Sequence, residues 1–259
     1  MDDGRDFSRL ACDWTVGRIA ADGRFELLGR LDRIVKLEEK RISLPMLEQA
    51  FGAWQAGGMA PLVAQVPNAP QLGKRQVYLV DKPEAAQSQI RIGWVGVARA
   101  TPDYAVLQVL NTVLGGSFTS RLNQNLREDK GYTYGAGSSF GLRAEGGSFQ
   151  AQADVRNEVT GAAIGEFLKE FEQMREQTVP ADELQRAKRF TAGTYLFQNQ
   201  LQYAVASALA GNWLLGRPAD YLSTYVDKVN DVTAAQVQSV AREFFDPKQQ
   251  SIVVVGDAA

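Results

Sequence analysis

Arg127 and Tyr134 are the two residues whose types and spacing best suit chemistry. A guanidinium offers N–H donors in a rigid fork, and a phenol offers one O–H. Such donors together can hold a peptide carbonyl, or stabilise an oxyanion as charge develops on it. Tyr132, two places before Tyr134, is a second candidate for the phenol's part. On residue types alone, the pair also reads as a plain structural Arg–Tyr contact on a sheet. Other chemistries are closed by composition. With 0 histidines in the sequence, a histidine-based zinc site, a Ser-His-Asp triad and a Cys-His pair are impossible within it. Carboxylates and Cys12 show no spacing that suggests a metal. Glu128 and Asp129 read as solvated charges at a helix end. Asp182 and Glu183 read as first-turn helix residues without partner spacing for acid/base work. Arg121 reads as a structural residue, paired with the sheet or with a neighbouring carboxylate.

Residues 115–140, GGSFTSRLNQNLREDKGYTYGAGSSF, must position the pair. Gly115 and Gly116 end one helix. Thr119 or Ser120 then supplies an N-cap for a short helix with Leu122 and Leu126 on one face and Arg127 at its end. Gly131, Tyr132, Thr133, Tyr134 and Gly135 read as a turn into a strand.

This stretch resembles the signature of the C-terminal, non-zinc half of M16 (pitrilysin-like) metallopeptidases. The family pattern F-x-S-R-L-x-x-x-L-R-E-x-x-G-x-x-Y is met by Phe118, Ser120, Arg121, Leu122, Leu126, Arg127, Glu128, Gly131 and Tyr134. The resemblance implies that Arg127 and Tyr134 form a substrate-binding pair facing the active chamber. It also implies that zinc sits on a separate domain or subunit bearing an H-x-x-E-H helix. This chain would then need no cofactor of its own, and would pair with a zinc-bearing M16 subunit or domain and with a peptide substrate.

Around that stretch the patterning is α+β: an antiparallel sheet with helices packed on one face. The M16 resemblance implies the same architecture. Residues 76–81 (QVYLVD) and 88–97 (SQIRIGWVGV) read as strands, the second alternating Ile90, Ile92 and Trp94 or Val95 against polar or small neighbours. Gln87 and Ser88 read as local backbone partners at a strand start. Thr101, Pro102 and Asp103 open a helix whose stripe of Ala105, Val106, Val109, Leu110, Val113 and Leu114 is core. Phe149, Ala151, Ala153 and Val155 alternate in a strand that pairs with 132–140. Thr160 caps a helix carrying Ile164, Phe167, Leu168, Phe171 and Met174. Residues 180–183 open a long helical pattern to about Leu215, broken at Gly193 or Gly211. Thr233 caps a last helix, stopped by Asp246 and Pro247, and residues 251–255 (SIVVV) close the sheet. Trp54, Trp94 and Trp213 read as packing residues.

The front of the chain differs. Residues 15–48 hold an Asp22–Gly23 turn between strand-like runs and a helix start near Pro45. They resemble the hinge and early C-terminal domain of acyl-AMP-forming ligases, which implies a pivot at Asp32 and a nucleotide contact at Arg30. A solvated β-turn is the plainer reading of both. The large nucleotide-binding domain and the catalytic-lysine segment of such ligases are not found in these 259 residues, so ligase activity is not expected. The organisation read from sequence is a ligase-like fragment over 1–48, too poor in apolar surface to fold well alone, a Gly/Pro-rich linker over 49–75, and an M16 domain over 76–259.

A net charge of −2 with scattered basic residues leaves no footprint for nucleic acid. No apolar run approaches a membrane span, and Cys12 alone excludes an internal disulfide. The acidic, polar start MDDGRDFSRL is no secretory signal, and the compartment stays open. The expected function is a non-catalytic M16 domain that binds peptide and completes a zinc-bearing partner's chamber. The alternatives are a structural or interaction module and a fusion fragment without peptidase role.

Overall fold

A computed structural model describes residues 10–12, 15–19, 25–30, 34–37, 40–53, 69–218 and 220–257. The chain divides into two compact units, Met1–Ala64 and Gln65–Ala259. In the first unit, β1 (Leu10–Cys12), β2 (Thr15–Ile19) and β3 (Phe25–Arg30) form an antiparallel sheet in that order. A second hairpin joins β4 (Ile34–Leu37) to β5 (Lys40–Ser43) and leads directly into α1 (Leu44–Phe51). The expected Asp22–Gly23 turn, Asp32 and Trp54 lie outside the described residues. The expected boundary at 48/49 falls inside α1, and the division between units lies at Ala64/Gln65. Leu47 and Phe51, four apart, continue a helical spacing across the point where composition suggested a linker.

The second unit is built on a five-stranded sheet. Its strands are β6 (Gln76–Asp81), β7 (Ser88–Gly96), β8 (Thr133–Arg143), β9 (Gly146–Val155) and β10 (Ser251–Gly256), in the order β6-β10-β7-β9-β8. β7, β8, β9 and β10 pair antiparallel, while β10 pairs with β6 parallel, so the sheet is mixed at one edge. The parallel pair arises because β10 returns after all the helices and enters between β6 and β7. Period-two alternation puts Ile90, Ile92 and Trp94 of β7, and Phe149, Ala151, Ala153 and Val155 of β9, on the buried face. Gln150, Gln152 and Asp154 face the other way and are exposed.

Helices cover the apolar face: α2 (Tyr104–Leu114), α3 (Arg121–Asn123) running into a π-turn at Gln124–Asp129, α4 (Thr160–Glu176), α5 (Ala181–Gln198), α6 (Gln202–Leu214), α7 (Tyr221–Asn230) and α8 (Ala234–Phe244). The expected stripe of α2 is buried throughout, as are Phe167, Phe171 and Met174 of α4. The aromatic centre of the core is Trp94, edge-on to Phe171 at 4.9 Å, with its indole N–H donating to the Asp246 carbonyl at 2.8 Å. Burying each such side chain contributes about 1.5–3 kcal/mol.

Local details depart from expectation in instructive ways. α2 starts at Tyr104, one residue after Asp103, which makes no side-chain cap. Thr160 is the first residue of α4, its hydroxyl donating back to Asn157 O at 2.8 Å. The long 180–215 pattern breaks at neither glycine but between α5 and α6. There Asn199 forms the C-cap of α5, its backbone N–H and its side chain both donating to Tyr195 O, at 3.2 and 2.8 Å. Thr233 caps α8 with a full capping box: its hydroxyl accepts from Gln236 N, and the Gln236 side chain accepts from Thr233 N. Ser88 is buried and reaches across the fold, donating to Asn157 Oδ1 at 2.9 Å rather than to local backbone.

Candidate functional site

The site grows out of the link between α2 and β8. Gly115 follows Leu114 with no room for a side chain, because a Cβ there would collide with the backbone of Ser138. That closeness lets Ser138 N donate to Gly115 O at 3.0 Å, stitching the end of α2 to the strand. Ser120 occupies the expected cap position of α3 but makes no cap bond, and its buried hydroxyl has no partner. Leu122 and Leu126 are fully buried and anchor the short helix. The helix then widens into its π-turn, Lys130 N donating to Asn125 O at 3.0 Å. Gly131, at φ 63°, adopts the left-handed conformation that only glycine takes without strain, and Tyr132 N closes back on Leu126 O at 2.9 Å.

Arg127 lies in the widened turn. Its guanidinium sits 4.5 Å from the ring centroid of Phe118, and its Nε forms an ion pair with Glu128 Oε1 at 3.2 Å, with the side chain 37% exposed. Glu128, expected to be a solvated charge at the helix end, is 46% exposed and is Arg127's ion-pair neighbour. Tyr134 lies at the start of β8, where the register slips between Thr133 and Ala136 so that one extra residue bulges out. The Thr133 hydroxyl fixes this bulge, donating to Asp154 O at 2.7 Å and accepting from Gly135 N at 3.1 Å. In consequence Tyr134 is 91% exposed. Tyr132 is placed differently: its ring is half-buried and packs against the core.

Arg127 and Tyr134 make no direct hydrogen bond. They belong to one rim through Asn123, a buried residue that the pattern of types did not single out. Asn123 Nδ2 donates to Phe118 O at 2.7 Å, and its Oδ1 accepts from Ala136 N at 3.2 Å. One side chain thus holds both the loop carrying Arg127's aromatic platform and the bulge carrying Tyr134.

Beside this rim lies a polar hollow of about 650 Å³, lined in part by Arg121, Asn125, Lys130, Lys169 and Glu183. Arg121 is paired bidentately with Glu183 of α5 at 2.8 and 2.6 Å, so of the two structural partners read from sequence it takes the carboxylate. That hydrogen-bonded pairing raises the guanidinium pKa further. Asn125 donates to Glu166 at 2.9 Å and to the buried Glu170 at 2.7 Å. The Asn125 hydrogen bond, aided by Lys169 and Lys130, holds the Glu166 carboxyl below its usual range. Only distance in sequence hid these contacts: 62 residues separate Arg121 from Glu183. Among the described residues, no group of three His, Cys, Asp or Glu side chains is placed to hold a metal ion, and no helix is long and apolar enough to cross a membrane. The chemistry within reach is donation, from a fork and a phenol, to an acceptor passing over the rim.

Comparison with known proteins puts this geometry in context. An uncharacterized zinc protease of Streptomyces coelicolor is 26% identical over 216 residues, which is 82% of this chain and 47% of that protein. The uncharacterized zinc protease YmxG of Bacillus subtilis is 27% identical over 204 residues, 77% of this chain and 47% of its own length. The chain thus spans about half the length of the curated relatives it matches. A peptidase M16 inactive domain from Pseudomonas fluorescens has the same fold, with a TM-score of 0.71 at 23% identity, over 77% of this chain and 48% of that one. The family profile described as the peptidase M16 inactive domain matches residues 39–190. It begins ahead of the boundary expected at 48/49 and runs into α5, taking in Phe118, Asn123, Arg127 and Tyr134. More than half of the sequence lies within that match, and the chain belongs to the peptidase M16 inactive domain family.

Proposed function

We propose that this chain is the substrate-holding, non-catalytic half of a two-part zinc peptidase. Arg127 and Tyr134 grip the backbone of a bound peptide, and the unit closes over the active centre of a zinc-bearing M16 partner. The hydrolytic zinc belongs to that partner. The observation that carries the reading is the exposure of Tyr134 on a strand bulge that Asn123 ties to the Phe118 loop, where the Arg127 guanidinium lies against the Phe118 ring. An aromatic ring that is 91% exposed, on a bulge fixed by the Thr133 hydroxyl donating to Asp154 O and accepting from Gly135 N, has no evident structural task of its own. Bulges of this kind re-aim side chains next to functional sites. Family membership supports the reading, because an inactive M16 domain is one that works beside a catalytic one.

The test is reconstitution. Mixing the full chain with an H-x-x-E-H chain from the same genome, in the presence of zinc, should cleave a quenched peptide that neither chain cleaves alone. Tyr134→Phe loses one neutral hydrogen bond and should lower kcat/KM by about 3- to 10-fold. Arg127→Ala loses a charge-assisted one and should lower it by roughly 10- to 100-fold. In both variants the complex should still form. Full activity in both would reduce the chain to a scaffold.

A further inference from the structure

α6 is built the wrong way round for a surface helix. None of its residues is buried. The side it leans on the unit is made largely of small residues: Ala204, Ala208 and Gly211 are half-buried, with Leu215 just beyond the helix end. The side it turns outward carries the large ones, with Trp213 78%, Leu214 76%, Tyr203 50% and Leu209 42% exposed. Phe197 near the end of α5 and Leu201 just before α6 are exposed as well, at 72% and 56%. Residues 190–216 contain no Asp, Glu, Lys or Arg. A solvated helix face ordinarily carries charge, and one that is apolar all round is normally covered.

The six large side chains present on the order of 600 Å² of apolar surface. That is the upper end of what a monomer leaves bare, and most of the roughly 800 Å² that a stable interface takes from each partner. A membrane surface is the poorer match, since helices that lie on membranes carry Lys and Arg along their polar face, and α6 has none.

We propose that the outward face of α6, with Phe197 and Leu201, is the surface on which the zinc-bearing M16 partner docks. This rests on the two-part reading above, and it identifies which side of the chain meets the partner. The relatives that this chain matches are about twice its length, so a second body of comparable size is available to cover a face of this area. The partner's matching surface is apolar and uncharged, and the contact resists salt.

Trp213→Glu and Leu209→Glu in the full chain provide the test, with the H-x-x-E-H chain as probe and thermal melts to confirm folding. Both positions are exposed, so the melts should be unchanged. Co-elution on size exclusion should be lost in each variant, with affinity at least tenfold weaker, and wild-type co-elution should survive high salt. Amides of 202–214 should exchange fast in the lone chain and slowly in the complex. Wild-type affinity in both variants overturns the assignment. So does a lone wild-type chain that elutes as a dimer and is split by Trp213→Glu, because a second copy would then own the face. Slow exchange of 202–214 in the lone monomer overturns it too, since the chain would then cover itself. Failure of the wild type to bind any such partner overturns both the docking face and the two-part function. Full activity of Arg127→Ala in an intact complex overturns only the peptide grip.

Discussion

Asn123 is the residue on which the rim depends. Its amide satisfies one carbonyl in the Phe118 loop and one N–H at the Tyr134 bulge, both part-buried. Asn123→Ala leaves both groups without a partner, at about 1–3 kcal/mol for each buried group stranded. The expected result is a urea midpoint lowered by that order and a slower reconstituted peptidase, whereas Tyr134→Phe should leave the urea midpoint where it is. An Asn123→Ala protein with unchanged stability would mean that the two groups find other partners. Sequence pattern identified Arg127 and Tyr134 because residue type and spacing are what such a pattern records. It passed over Asn123 because asparagine is common in turns and caps, and because its two partners lie five residues before it and thirteen after. The pattern favoured Tyr134 over Tyr132, but residue types and spacing alone did not show how differently the two rings are placed. They differ by a register slip, and a one-residue slip exchanges the two faces of a strand.

Among the elements, α2, α5 and α7 meet at a cluster of tyrosines. Tyr195 and Tyr225 lie 4.3 Å apart, Tyr104 and Tyr225 5.7 Å apart, and the Arg99 guanidinium rests 3.3 Å over the Tyr104 ring. Burial pushes the phenols of Tyr104, Tyr195 and Tyr225 above their ordinary value of 10.0. A group whose folded pKa is raised stabilises the fold fully below its unfolded pKa and loses that contribution as pH rises towards the folded value. Stability should therefore hold to about pH 10 and fall steeply above it, by up to roughly 1.4 kcal/mol per pH unit for each tyrosine held neutral. Tyr225→Phe should flatten that alkaline fall while changing little at pH 7, as urea unfolding at the two pH values would show. An unchanged alkaline slope would assign the fall to other groups. Of the helices themselves, those with a clean stripe, such as α2 and α8, were legible, since period 3.6 is a burial signal. The α5–α6 break was not. Glycine is the usual suspect in a helical pattern, yet Gly193 and Gly211 sit inside helices with open space around them, and α5 ends at a C-cap asparagine, Asn199. Trp213 defied expectation for a related reason: pattern tells which residues are apolar, not which side of the helix meets the core.

At the scale of the molecule, the unit Gln65–Ala259 contains a complete apolar core running from Ile90 to Val254. Residues 65–259 alone should fold cooperatively, with a calorimetric transition close to that of the corresponding step in the full chain. Aggregation or a broad, non-cooperative melt would show that the first unit supplies something essential. The α+β class and the one-sided helical cover were legible from alternation and block order. The parallel pairing of β6 and β10 was not, because SIVVV reads the same whichever neighbour it meets. That insertion has a consequence for how the protein is made. β10 is the last strand of this unit to leave the ribosome, yet it sits between β6 and β7 and bonds to both. The nascent chain must carry β6 and one edge of β7 unmatched through the whole of its synthesis, a state prone to association with other chains. Deleting β10 would leave that state permanent, turning the loss of 6 residues into the loss of the entire sheet.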